Sequence, residues 1–139
     1  MSTRRRAMVL LGALAAGAGR SADRHDADAN DRRFIAAAFA MKALAESWGD
    51  QPYGAVLVLD GRVVGEGPSR VVQRNDPDAH AEREAIRDAR RKLGRDRLDG
   101  AILYSTSRPC PLCERAASEA GVARMLHGES AIDAGSPRS

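Results

Sequence analysis

The chain has 139 residues, 43% hydrophobic and 29% charged, which is the balance of one small globular domain and excludes a disordered or fibrous protein. Four of its 22 basic residues, Arg4, Arg5, Arg6 and Arg20, lie in the first twenty positions, which hold no Asp or Glu, leaving 18 basic against 19 acidic residues in the remainder. The formal charge of +3 is therefore an N-terminal feature, and a near-neutral body argues against a strong phosphate-tracking surface, since non-specific nucleic-acid affinity comes mainly from Lys and Arg.

Residues 1–18 read as an address: a charged start at Thr3-Arg4-Arg5-Arg6, an apolar run with Val9, Leu10, Leu11 and Leu14, and the small-residue pattern Ala16-Gly17-Ala18. The arginine pair before Ala7-Met8-Val9-Leu10 resembles a bacterial twin-arginine export signal, with a general secretory signal or uncleaved anchor, or an ordinary mobile extension, as alternatives. The resemblance implies a periplasmic or secreted protein; without a true signal the chain stays cytoplasmic. The run is too short to span a bilayer, so no stable membrane insertion is expected. Residues 19–31 read as a polar linker in which His25 has no role, residues 32–128 as the functional domain, and residues 129–139, rich in Gly, Ser, Ala and Pro, as a short flexible tail.

Asp31 is expected to cap a helix running to about residue 47, whose Phe34, Ala38, Met41, Ala45 and Trp48 form one apolar stripe. Gly49-Asp50-Gln51-Pro52 ends it, and residues 53–59 follow as an apolar strand. Asp60-Gly61 gives a two-residue hairpin returning through residues 62–66. Asn75-Asp76-Pro77-Asp78 supplies helix-start chemistry for a second helix over 79–93, closed by Gly94. A third strand is expected over 101–106, a third helix opened by Pro109, and a fourth strand over 122–127. This alternation predicts an α/β sheet with helices on its faces.

His80-Ala81-Glu82 and Pro109-Cys110-Pro111-Leu112-Cys113 form the pattern H-x-E followed by P-C-x-x-C. Zinc takes imidazole nitrogen and thiolate sulfur in a tetrahedral site, and a catalytic site keeps three protein ligands with the fourth position open. His80, Cys110 and Cys113 make three. The cysteines are three apart at a helix start, where the helix N-terminus and a metal both favour thiolate. His80 and Glu82 do not share an ideal helical face, but at a first turn they can diverge around a water, leaving Glu82 to move the proton. Glu84 reads as a solvent-facing helix residue and His127 as a polar strand end. A lone C-x-x-C in an exported protein is most simply a disulfide or redox pair; the His-x-Glu, the intervening strand and Pro109 favour the metal.

Residues 53–127 resemble the cytidine and deoxycytidylate deaminase superfamily, particularly the branch of guanine deaminase and tRNA adenosine deaminase. Residues 75–82 and 103–113 carry the similarity, with residues 54–58 as weaker support. The resemblance implies a three-layer αβα fold with a mixed sheet of four to five strands, a zinc cofactor that activates water, a homodimer, and an Ala81 backbone N–H facing the base. Three departures stand out: Pro68-Ser69 where the branch commonly has a base-reading asparagine, Arg108 where a glutamate is usual, and a chain too short after the fourth strand for the family's final helix. Ser69 offers one hydroxyl instead of a two-ended amide. With Tyr53, Ser69 and Ala81 as substrate contacts, the expected function is hydrolytic deamination of a nucleobase or nucleoside of cytosine, guanine or adenine type. The partner is then a small molecule and no nucleic acid. The alternatives are a catalytically inactive zinc-binding domain of the same fold, a tRNA adenosine deaminase if the export signal is false, and a thiol redox protein.

Overall fold

The computed structural model describes residues 19–139, so the export signal expected over residues 1–18 lies outside the described residues. The elements run α1 (Gly19–Ser47), β1 (Gly54–Leu59), β2 (Arg62–Pro68), α2 (Ala81–Leu93), β3 (Ile102–Ser105), α3 (Pro111–Ala120), β4 (Arg124–His127) and β5 (Ile132–Gly135). They form one five-stranded sheet in the order β2-β1-β3-β4-β5. All neighbours are antiparallel except β3 and β4, which run parallel because α3 carries the chain back between them. None of the described helices is long and apolar enough to cross a membrane.

The period-2 alternation of the strands divides the core in two. Ala55, Leu57, Leu103 and Met125 point to the face covered by α2 and α3. Val56, Val58, Tyr104 and Leu126 point to the face covered by α1, where they meet Phe34, Ile35 and Ala38. The architecture is thus the expected αβα sandwich. The Asp60-Gly61 hairpin forms as read, with φ of 52° and 74°, the left-handed pair that a tight hairpin turn requires.

Four expectations are corrected. The segment read as a polar linker over 19–31 is helical: it contains no Gly or Pro from residue 20 to 31, so nothing breaks the helix that follows. Asp31 consequently lies inside α1 and caps nothing; its carboxylate accepts the Tyr104 hydroxyl at 2.6 Å and pairs with Arg124 at 3.6 Å. Trp48 falls just past α1 and is 40% exposed, with the Arg70 guanidinium 4.7 Å over its ring. Finally, the segment read as a flexible tail contributes β5, paired to β4 through Leu126↔Asp133 and His127↔Ile132. Its residues are largely exposed and of low strand propensity, so ladder bonds and the Arg124–Asp133 pair at 3.4 Å hold it, not burial.

Two glycines of β2 set how closely α2 approaches the sheet. A Cβ at Gly67 would lie 2.0 Å from the Ala81 carbonyl oxygen, and one at Gly65 would lie 2.1 Å from that of Ala85. Gly67→Ala is expected to push the start of α2 off the sheet, costing about 1–3 kcal/mol in urea unfolding. Since that helix start carries His80 and Glu82, zinc content of the purified variant is expected to fall as well.

Candidate metal centre and its cavity

Both helices that carry the H-x-E and P-C-x-x-C segments begin with an extended residue. α2 starts at Ala81 instead of residue 79, with His80 as its N-cap at φ −64°, ψ 152° and no side-chain capping bond. Its carbonyl accepts the Glu84 N–H at 2.9 Å, while the imidazole is left free for other work. α3 starts at Pro111 instead of Pro109, with Cys110 as N-cap at φ −69°, ψ 164°. Proline fits the first helical position because its missing N–H would have no partner there. The Cys110 sulfur accepts the Cys113 N–H at 3.4 Å, so a soft donor replaces the usual capping oxygen.

These two starts converge. The Cys113 sulfur lies 3.4 Å from His80 Nδ1, the Cys110 sulfur 3.7 Å from the same nitrogen, and the two sulfurs 3.4 Å apart and unbonded. A zinc ion with Zn–S of about 2.3 Å and Zn–N of about 2.0–2.1 Å spaces tetrahedral donors by roughly 3.6–3.8 Å. The observed triangle fits that ion within a few tenths of an ångström. The electrostatics agree. Burial first, then the neighbouring Glu82 carboxylate, push the Cys113 thiol well above its ordinary range. Burial likewise pushes Glu82 up, against the opposing pull of its own backbone N–H, the Cys113 thiol and the His80 ring. A pocket in which the Cys113 thiol and a neighbouring carboxylate both resist ionisation is one where a dication gains most by arriving.

A cavity of about 570 Å³ opens onto this group, and His80, Glu82 and Cys110 line it together with Ala81, Tyr53 and Ser69. The first residue of α2, Ala81, has no intrahelical acceptor for its N–H, so that donor is available to a ligand. Tyr53 is 43% exposed at the cavity and Ser69 only 1%. Arg108 also lines it and is exposed. Sequence reasoning missed Gln51 and Ser107, which complete the lining, and Asp50, whose carboxylate accepts the Ser69 hydroxyl at 3.0 Å. No local pattern marks these three, since each sits in a connection between elements.

His127 ends β4 and stays outside the donor group, its pKa held below the ordinary range by burial and by Arg108. Glu84 is the clearest correction at this end of the molecule. Read as solvent-facing, it is 4% exposed, and Arg74, Arg87 and Arg70 approach its carboxylate at 3.2, 3.6 and 3.9 Å.

Removing one of three donors leaves zinc with two. Cys113→Ser is expected to weaken zinc binding by more than the 10- to 100-fold typical of losing a group that merely orients a ligand. Competition with a chromogenic chelator measures it, and circular dichroism checks that the fold is retained.

Against known proteins, the cytidine and deoxycytidylate deaminase zinc-binding region matches residues 28–129. A tRNA-specific adenosine deaminase of Agrobacterium fabrum is 49% identical over 77 residues, 55% of this chain and 51% of that protein. Guanine deaminase of Bacillus subtilis is 52% identical over 62 residues, 45% of this chain and 40% of that protein. The chain thus spans about half the length of the curated relatives it matches. A solved structure from work on A-to-I editing by tRNA:A34 deaminases at the wobble position superposes with a TM-score of 0.67 at 43% identity, covering 69% of this chain and 70% of that one. The chain belongs to the cytidine and deoxycytidylate deaminase family, with its zinc-binding fold.

Proposed function

We propose that this chain is a hydrolytic deaminase that exchanges the exocyclic amine of a nucleobase for oxygen and releases ammonia. The observation that carries the reading is the meeting, at one cavity, of a three-donor group with a buried carboxylate that is not part of it. In this reading His80, Cys110 and Cys113 hold zinc, which when bound supplies the acidification of water, toward a pKa of about 7. Glu82 accepts one proton of the attacking water and delivers it to the ring nitrogen beside the reacting carbon, then takes that water's second proton and passes it to the departing amine, which leaves as ammonia while the oxygen stays on the ring. Its burial at 5% exposure shields the carboxylate from bulk water during the two transfers. The Ala81 N–H donates to the base at the same helix start, where the dipole also favours developing negative charge.

A second reading, adenosine within tRNA, has its own support. The adenosine-deaminating relative matches a longer stretch of this chain than the guanine-deaminating one, 77 residues against 62. The cavity is also lined by an exposed Tyr53 and an exposed Arg108, a ring and a cation of the kind that engage splayed bases and phosphates. This reading returns a nucleic-acid partner to consideration.

Ammonia release from guanine, adenine, cytosine, their nucleosides and an adenosine-bearing anticodon stem-loop separates the substrates. On whichever is turned over, Glu82→Gln is expected to lower kcat by about 10²–10⁴-fold with zinc content unchanged. A chain that binds zinc yet releases ammonia from none of them is the inactive-domain alternative, and the proposal fails.

A further inference from the structure

Asp50 lies in the turn between α1 and β1 and is 8% exposed. One carboxylate oxygen accepts the Gln51 N–H at 2.8 Å and the Ser69 hydroxyl at 3.0 Å, and the other accepts the Gln73 N–H at 2.7 Å. Desolvation works against the charged form, but these backbone donors, a further one from Val72 and the Ser69 hydroxyl outweigh it and hold Asp50 below the usual carboxylate range. Asp50 is therefore an anion at neutral pH, with acceptors only. Ser69 has a single hydroxyl hydrogen, and Asp50 takes it. The Ser69 backbone is fixed too, its N–H donating to the Tyr53 carbonyl at 3.1 Å. All that Ser69 keeps for a ligand in the cavity it lines is lone pairs.

We infer that the Asp50–Ser69 pair makes this position a hydrogen-bond acceptor without a donor, selecting a free nucleobase that points a ring N–H at the Ser69 oxygen. The inference rests on the deaminase reading above and names its substrate class. An asparagine offers a donor and an acceptor side by side; the serine held by Asp50 offers one sign only. The adenine ring of a nucleoside presents N1, N3 and N7, all acceptors, and its only ring-attached donor is the amine that leaves. Lone pair against lone pair strands two buried polar atoms, a loss that binding elsewhere must offset. Free guanine, adenine and cytosine each carry an N–H where a nucleoside carries its ribose. Ser69 is thus a specificity residue and Asp50 the residue that positions its proton.

The test compares matched ligands on the zinc-loaded full chain by equilibrium binding: guanine with 9-methylguanine, adenine with 9-methyladenine, cytosine with 1-methylcytosine. The wild type is expected to prefer the N–H member of at least one pair by about tenfold more than Ser69→Ala does. The variant loses only the oxygen, so the bulk of the methyl group acts in both proteins and cancels. In Asp50→Asn the preference is expected to shrink with zinc content unchanged, whereas a merely structural Asp50 would lower the melting temperature and leave the ratio alone. Equal preferences in wild type and Ser69→Ala overturn the inference, as does failure of all three free bases to bind. Ammonia release is read separately: bases that bind with the expected ratio while neither they, their nucleosides nor the stem-loop are turned over refute the deaminase reading and leave the acceptor site standing.

Discussion

Two helix starts must meet on one face of the sheet, and the rest of the molecule is arranged around that requirement. His80 and Cys110 are both N-caps in extended conformation, so their side chains leave the chain before the helical periodicity takes hold. Cys113, one turn later, then lies beside Cys110, and the three donors close to within 4.8 Å of one another. The helices reach the meeting point because their sheet-facing residues are small. Ala81, Ala85 and Ala89 of α2 and Ala117 and Ala120 of α3 are all fully buried, and Gly65 and Gly67 remove the side chains that would hold α2 away. Small residues bring backbones near; near backbones bring ligands near. A bound dication would make the arrangement stable electrostatically, since burial otherwise suppresses the ionised forms of Cys113 and Glu82.

The periodic parts of this fold were legible and the parts held by single interactions were not. Val56/Val58 against Ala55/Leu57 is an alternation that sequence shows directly, and the Asp60-Gly61 turn has a residue pair that only one geometry suits. β5 has no such pattern: Ile132, Asp133 and Ala134 are exposed, and the strand exists because β4 offers an unpaired edge and Arg124 a counter-charge. The boundaries of α2 and α3 slipped by two residues each for one reason. Asp78 and Pro109 carry ordinary start signals, yet the chain stays extended through His80 and Cys110, where the donors are needed. The metal motif was readable as a motif; its geometry depended on those two residues lying outside their helices.

Glu84 shows how charge can be misread when only one element is considered. On an isolated α2 it is one more acidic residue in an Ala-, Glu- and Arg-rich helix. In the fold it is 4% exposed and faces Arg70 and Arg74 from the loop that joins β2 to α2, with Arg87 from its own helix. A buried carboxylate with three guanidiniums about it ties down that loop, and removing it would leave like charges facing one another. Arg70 extends the tie by lying over Trp48, so the end of α1, the loop and α2 are linked through one cation. The near-neutral body inferred from composition is real, but its charges are paired across elements in a way that no count reveals.

The proposed reaction and the proposed selectivity draw on different kinds of structure in this chain. His80, Glu82, Cys110 and Cys113 sit at helix starts, where local rules fix the backbone and short motifs suffice to identify them. Asp50, Tyr53, Ser69, Ser107 and Arg108 lie at strand ends or in connections, and their relation is set by contacts across the chain, such as the hydroxyl of Ser69 reaching back nineteen residues to Asp50. A substitution at one of them changes meaning with its partner. Serine in place of asparagine is a loss of readout if the hydroxyl is free to turn, and a defined readout of one sign once a buried carboxylate claims its proton. The same holds for His127 at the end of β4, whose pKa is held below the ordinary range by burial first and then by the Arg108 guanidinium reaching it from another connection. Arg108 lines the cavity and His127 does not, so the guanidinium faces whatever the cavity takes up, alongside the metal that His80, Cys110 and Cys113 would hold.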